Sequence, residues 1–234
     1  MIKTKINIKT KTETNEKNIY KFFPKNKNEL KSIINQQINK YGDSVDLNNI
    51  DVSQITDMSY LFWHLEFNGN ISNWNVSNVK EMFWMFTGTK FNQNISKWDV
   101  SNVRSMDSMF YDSNFNGDIS NWDVSKVTNM YSMFTNSKFN KDISKWNVSN
   151  VENMSGMFFK SKFNQNINNW DISKVTDMSY MFHNSGFNQN ISKWFSKLNK
   201  NCDMTKFGIM NNINIIHSYD DFKQYHRELI LKNL

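Results

Sequence analysis

Tryptophan returns every 24 residues, at Trp74, Trp98, Trp122, Trp146, Trp170 and Trp194, and the surrounding apolar columns hold the same period. Met58, Met82, Met106, Met130, Met154 and Met178 form one column, and Phe62, Phe86, Phe110, Phe134, Phe158 and Phe182 another. A third runs through Phe67, Phe91, Phe115, Phe139, Phe163 and Phe187, so six units fill residues 51–194 without an insertion. A unit this short cannot bury its own apolar face. Each must stack on its neighbours, and the array is expected to fold as a solenoid with the six tryptophans as structural core.

Inside one unit the pattern changes period. In Ile71-Ser72-Asn73-Trp74-Asn75-Val76, Trp74 and Val76 alternate with polar residues as in a half-buried strand. Val79, Met82, Met85 and Phe86 follow at three- and four-residue steps, the spacing of one buried helix face. Ser77 stands where an N-cap would satisfy the first free amides of that helix. The expected fold class is therefore α/β: six 24-residue strand-plus-short-helix repeats in a solenoid with helical caps at both ends. Asn68, Asn92, Asn116, Asn140, Asn164 and Asn188 follow the Phe67-type column and are expected to be a structural ladder bonding turn backbone.

The flanks read as caps. Leu47, Ile50 and Val52 align with Ile71, Trp74 and Val76 and predict a degenerate first strand. Leu30, Ile33, Ile34, Ile38 and Tyr41 form one apolar stripe between Pro24 and Gly42, which predicts a helix over about 26–41 in a cap spanning 20–50. Residues 195–234 are expected to form the second cap. It would hold a strand from Ile213 to Ile216 and a final helix over about 219–232, opened by Ser218 and Asp221. Residues 1–19 read as a basic arm or a short strand.

The string Ile-Ser-x-Trp-Asp/Asn-Val-Ser-x-Val-x-x-Met-x-x-Met-Phe, closed by Phe-Asn, resembles the BspA-like leucine-rich repeat surface proteins, a family also described by its mycoplasma lipoprotein-associated repeat. The likeness covers roughly residues 20–194. It implies a leucine-rich-repeat fold, an adhesion or host-interaction role, and a place at the cell surface or outside the cell. Val79 and its equivalents depart from the pattern by standing where the general leucine-rich repeat has asparagine. The sequence shows neither a signal segment nor a lipobox cysteine, so a cytoplasmic or non-classically exported relative is the other expectation.

Composition narrows the function classes. Aromatics make up 15% of the chain, which excludes disorder for most of it. No apolar run reaches the ~20 residues of a spanning helix. Cys202 is the single cysteine, so no internal disulfide or thiol metal cluster is expected. The net charge of +6 comes from the amino-terminal region: residues 1–42 hold ten Lys against three Glu, whereas residues 51–194 hold twelve basic against thirteen acidic residues. Nucleic acid is therefore not the expected partner. His64, His183, His217 and His226 lack metal-ligand spacing, and no phosphate loop or nucleophile motif is present. Polar groups repeated along a ladder do not converge as a catalytic pocket requires. The chain reads as a non-enzyme without catalytic residues, cofactor or metal, and as a monomer that binds a protein or cell-surface ligand. A glycan is a further admissible ligand, and self-assembly or intracellular scaffolding is the alternative role.

Two surfaces could serve. On the strand side, Lys97, Asp99, Asp123, Lys145 and Asp171 would project outward beside serines, with Lys97 neutralising Asp99 and Asp123 in the simplest reading. On the helical side, Tyr60, Trp63, Phe83, Trp84 and Tyr111 cluster in the first three units at positions the repeat does not require to be aromatic. Phe83 and Trp84 are expected to make the principal contacts.

Overall fold

A computed structural model of the chain describes residues 20–210, 213–216 and 218–232. The expected amino-terminal arm at 1–19 lies outside the described residues. Six coils follow one another at the sequence period, numbered here 51–74, 75–98, 99–122, 123–146, 147–170 and 171–194. A partial seventh rung at 203–208 extends the stack, for the parallel bridges Asp57 to Glu81 to Ser105 to Asn129 to Asn153 to Asp177 end on Asp203.

The expected strand-plus-helix leucine-rich-repeat solenoid is not what the coils form. Among the described residues they contain no strand and no α-helix, only turns, single-residue bridges and one short 3₁₀ turn at Ser192–Trp194. The segment read as a strand is a pair of turns, in which Trp74 N donates to Ile71 O at 3.2 Å and Val79 N to Val76 O at 2.9 Å. Ser77 caps no helix; its hydroxyl donates to Asn75 Oδ1 at 2.7 Å. Ile50 of the expected first strand makes a single bridge, to Phe22.

The segment read as a helix is a run of four-residue turns. Leu61 N donates to Met58 O at 3.3 Å, Trp63 N to Tyr60 O at 3.4 Å and Leu65 N to Phe62 O at 2.9 Å. Positive φ recurs at every fourth position, at Tyr60 (59°) and His64 (53°), then at Trp84 (60°) and Gly88 (65°). A right-handed helix cannot pass through those residues. Successive four-residue turns and a helix place buried side chains at nearly the same spacing, which is why Met82, Met85 and Phe86 suggest a helix.

The turns carry the bonds between coils. Met58 N donates to Glu81 O at 2.9 Å, Tyr60 N to Phe83 O at 3.1 Å, Phe62 N to Met85 O at 3.0 Å and His64 N to Thr87 O at 2.9 Å. The next coil repeats the pattern, with Met82 N donating to Ser105 O and Trp84 N to Asp107 O. Because Glu81 C=O and Met82 N–H belong to one peptide unit, each contact continues into the next. Four columns of linked amides thus run along the stack.

Rings fill the interior. The Phe62-type column stacks at 5.4–5.8 Å with planes within 5°. Each of its rings also lies 4.0–4.4 Å from the Phe67-type ring of its own coil. The six tryptophans are 1–4% exposed. Each indole donates to a carbonyl 27 residues back, in the preceding coil or, for Trp74, in the amino-terminal cap, as Trp122 Nε1 does to Ile95 O at 3.1 Å, so the polar edge of a buried ring is satisfied.

Two caps close the stack. Helix α1 (Lys27–Tyr41) begins at Asn26, whose side chain accepts from Glu29 N at 3.0 Å, and ends at Gly42, whose φ of 85° suits a residue without a side chain. It buries Leu30 and Ile34, while Lys27 pairs with Asp57 at 2.6 Å and donates to Ser59 Oγ at 2.9 Å. At the other end a hairpin of β1 (Gly208–Met210) and β2 (Ile213–Ile216) leads to α2 (Tyr219–Lys232). Phe207 meets Phe182 edge-on at 5.3 Å, and the buried Phe222 of α2 meets Phe207 at 6.5 Å, which ends the ring column.

The α1 contact gives a pH test. Burial raises the Asp57 carboxyl, but Lys27 together with the Ser59 hydroxyl and amide outweighs it and holds the group below the usual carboxylate range. A depressed native value adds stability that is present above the unfolded value, about 3.9, and is lost as pH falls through the native one. With both partners partly exposed, the gain is under about 1 kcal/mol. Asp57→Asn is expected to lower stability slightly at pH 7, with the difference from wild type closing below about pH 4. Urea denaturation across pH checks this; a difference that persists at pH 2 contradicts it.

Candidate functional site

The outward positions of the turn run form one face along the stack. Tyr60, Trp63 and Tyr111 are exposed on it, and Phe83 and Trp84 are half-buried. The ring faces join all five: Tyr60 lies 6.1 Å from Trp63, 5.3 Å from Phe83 and 6.0 Å from Trp84, and Trp84 lies 6.1 Å from Tyr111. The accessible area therefore belongs to Tyr60, Trp63 and Tyr111, while Phe83 and Trp84 support them. Phe83 and Trp84, expected to make the principal contacts, are thus less exposed than Tyr60 and Trp63, because neighbouring coils are close enough for adjacent rings to shield one another.

Under these rings lies Asp107. Burial pushes its carboxyl above the usual carboxylate range, against hydrogen bonds from the Ser108 hydroxyl at 2.7 Å and the Trp84 indole. Further along the face are the exposed Tyr131 and Tyr180. Lys160 Nζ sits 5.1 Å above the Phe159 ring and Lys206 Nζ 5.4 Å above Tyr180, both within cation–π range.

Backbone conformation distinguishes these positions. The residues aligned with Tyr60 are Trp84, Ser108, Ser132, Gly156 and Tyr180, and all have positive φ between 50° and 64°. Left-handed backbone costs a bulky residue on the order of 1 kcal/mol relative to glycine. Three coils place a large aromatic there although serine or glycine suffices elsewhere. Tyr180 shares the Tyr60 column and Tyr131 the Phe83 column, both readable in the sequence as departures from the repeat, whereas Asp107 carries no such signal.

The second candidate surface differs from its expectation. Lys97, Asp99, Asp123, Lys145 and Asp171 are all exposed, but on turns rather than a strand face. Asp99, Asp123 and Asp171 each accept the amide two residues on, from Ser101 at 3.1 Å, Ser125 at 3.0 Å and Ser173 at 3.2 Å. The Ser125 hydroxyl and amide hold Asp123 below the usual carboxylate range. Among the described residues no ion pair within 4.0 Å joins Lys97 to Asp99 or Asp123, so these carboxylates are spent on local turns. Lys145 lines a shallow groove of about 320 Å³ with Asp118, Ser120, Lys141 and Asp142.

The asparagine column lies at the coil corners. Asn68 Oδ1 accepts from Asn92 N at 2.9 Å, Asn92 from Asn116 at 2.8 Å, Asn116 from Asn140 at 2.9 Å, Asn140 from Asn164 at 2.8 Å and Asn164 from Asn188 at 2.9 Å. Burial pushes the Cys202 thiol up to about 12, which keeps it in its unreactive form. Among the described residues no group of three or more His, Cys, Asp or Glu could hold a metal ion, and no helix is long and apolar enough to cross a membrane.

A family model described as "Mycoplasma protein of unknown function, DUF285" matches residues 28–138 and again 112–217. No curated protein and no solved structure matches the chain.

Proposed function

The chain belongs to the DUF285 family, and from that premise and its surface we propose a non-enzymatic binding module that presents a rigid ladder of turns to a protein partner. One observation carries the reading. Within the six coils every exposed large aromatic, namely Tyr60, Trp63, Tyr111, Tyr131 and Tyr180, lies on the turn face. The other sides are covered by Asn, Asp, Ser and Lys. Aromatic anchors backed by fixed neighbours are what protein recognition uses, because their contact area costs little side-chain entropy. The ring stacks and amide columns behind the face hold those anchors still. The likeness of the repeat string to BspA-like surface proteins supports a partner displayed on a cell surface.

The repeat itself supplies the test variant. Ser108 and Ser132 occupy the Tyr60 column, and Thr87 and Thr135 the Trp63 column. Tyr60→Ser, Trp63→Thr, Trp84→Ser and Tyr111→Thr together therefore copy residues the coils already accommodate. The combined variant is expected to keep its circular dichroism and to lose at least about tenfold in captured partner when immobilised against surface extract. Undiminished capture by the folded variant refutes the turn face as the binding surface.

A further inference from the structure

Lysine already meets this face twice within the chain. Lys160 Nζ lies 5.1 Å from the centre of the Phe159 ring, and Lys206 Nζ 5.4 Å from that of Tyr180. Phe159 shares its column with Trp63 and Tyr111, and Tyr180 shares its column with Tyr60 and Trp84. Coils 1 to 3 keep the rings without the cations, for among the described residues no ammonium lies over Tyr60, Trp63, Trp84 or Tyr111. The residue after Phe159 is Lys160 with φ of 54°, whereas the residue after Tyr111, in the same column with φ of 50°, is Asp112.

Charge divides the face in the same sense. The turn runs 57–64, 81–88 and 105–112 hold Asp57, Glu81, Asp107 and Asp112 and neither lysine nor arginine. The runs 129–136, 153–160 and 177–184 hold one charge of each sign, Lys160 and Asp177. Lys27 neutralises Asp57, but among the described residues Glu81, Asp107 and Asp112 make no ion pair within 4.0 Å. Lys80 and Arg104 stand exposed at the margin of the runs, and Lys31 reaches Tyr60 O, so these cations border the negative area without pairing with it.

We propose that the partner engages the first three coils through a basic segment, whose lysine or arginine side chains sit over Tyr60, Trp63, Trp84 and Tyr111 beside Glu81, Asp107 and Asp112. The inference rests on the reading of the turn face as a protein-binding surface and names the chemistry of the partner. A cation over a ring is held by the ring quadrupole, best over tryptophan, and a carboxylate close by adds to the attraction. Tyr60 stands at 87° to both Trp63 and Phe83, so these rings meet at a corner instead of lying flat. Asp107 is desolvated beneath the rings, and an arriving cation supplies the counter-charge it lacks there. An acidic segment would meet three unpaired carboxylates, which selects against it.

Fluorescence anisotropy of a labelled six-lysine peptide tests this on the full chain in about 150 mM salt. The net charge of +6 works against indiscriminate binding of a polycation. Wild type is expected to bind the peptide at least about tenfold more tightly than its fully acetylated counterpart, which keeps the length and loses the charge. Two variants drawn from the repeat separate the contributions. Glu81→Asn, Asp107→Ser and Asp112→Asn copy Asn129, Ser155 and Asn136 of the same columns and leave every ring in place. This triple variant and the four-residue ring variant, each with unchanged circular dichroism, are both expected to lose about tenfold or more in affinity for the six-lysine peptide. Equal binding of the charged and acetylated peptides overturns the proposal, as does wild-type affinity in either variant. Tighter binding to phosphatidylcholine vesicles than to the peptide also overturns it, by making a lipid surface the source of the cation. The underlying reading fails separately, when the ring variant captures surface partners as well as wild type does, whatever the peptides do.

Discussion

Trp122→Ala is expected to destabilise the chain by about 3–5 kcal/mol, the range for removing a large buried ring. The ring is 4% exposed, lies 6.4 Å from Phe110, and its indole holds Ile95 O of the preceding coil at 3.1 Å. Removal leaves a cavity between coils and an unpaired carbonyl in an apolar wall, and each coil is already fixed on both sides by its neighbours, which limits collapse. Urea denaturation followed by tryptophan fluorescence and by circular dichroism reads the loss. Trp122→Phe keeps most of the volume but not the donor, so it should fall between wild type and alanine. Alanine costing under about 1 kcal/mol would contradict the packing described for the tryptophan column.

The second large effect is positional. Gly69→Gln is expected to cost about 3 kcal/mol, and Gly117→Gln clearly less. The column that contains both glycines also holds Gln93, Gln165 and Gln189, so the repeat tolerates glutamine. At Gly69, however, a Cβ would overlap the carbonyl oxygen of Val45 and press on the Phe67 ring. At Gly117 the close neighbours are Phe115 ring atoms at 2.9 Å, and the nearest backbone atom, Gln93 O, is 3.7 Å away. Backbone cannot step aside as a ring can. The stability difference between the two variants measures how tightly the connection after α1 is clamped onto coil 1, and equal losses would show that it is not.

These two sites illustrate what the sequence could disclose. The period, the buried columns and the stacking follow from composition at fixed spacing, because each column is one chemical choice made six times. The direction of the backbone did not follow. Met82, Met85 and Phe86 occupy a spacing shared by a helix and by successive four-residue turns, and the left-handed residues that separate the two are mostly tyrosine, tryptophan, serine, histidine and lysine rather than a recurrent glycine. Gly88 and Gly156, with Asp112, Asn136 and Asn184, are the residue types that hint at them. Likewise, Trp74 and Val76 alternate as in a strand, yet Asn75 and the serine after Val76 close a local turn instead. Asn and Ser at such positions offered the backbone an internal partner, and that competition decided the outcome. On the candidate face, the cluster of five aromatics was legible as a departure from the repeat. The ranking within it was not, since it depends on how far one coil shields the next. Gly69 was illegible for a different reason: its constraint comes from Val45, in a segment outside the repeat.

The amide columns have an electrical consequence. Every N–H in them points toward the carboxyl-terminal end of the stack and every C=O toward the amino-terminal end. Peptide dipoles of about 3.5 D each then add along these four columns, as they do in a helix, and are offset in part by the Lys80-type column, whose amides donate back to the preceding coil, as Arg104 N does to Lys80 O. The polarity is the reverse of a helix read along the chain: coil 1 is the negative pole. Two lysines of α1 sit there, Lys27 on Asp57 and Lys31 with its Nζ 3.3 Å from Tyr60 O. Lys27 is neutralised by Asp57, so the amino-terminal cap closes the apolar end of the stack and brings the Lys31 ammonium to its negative pole.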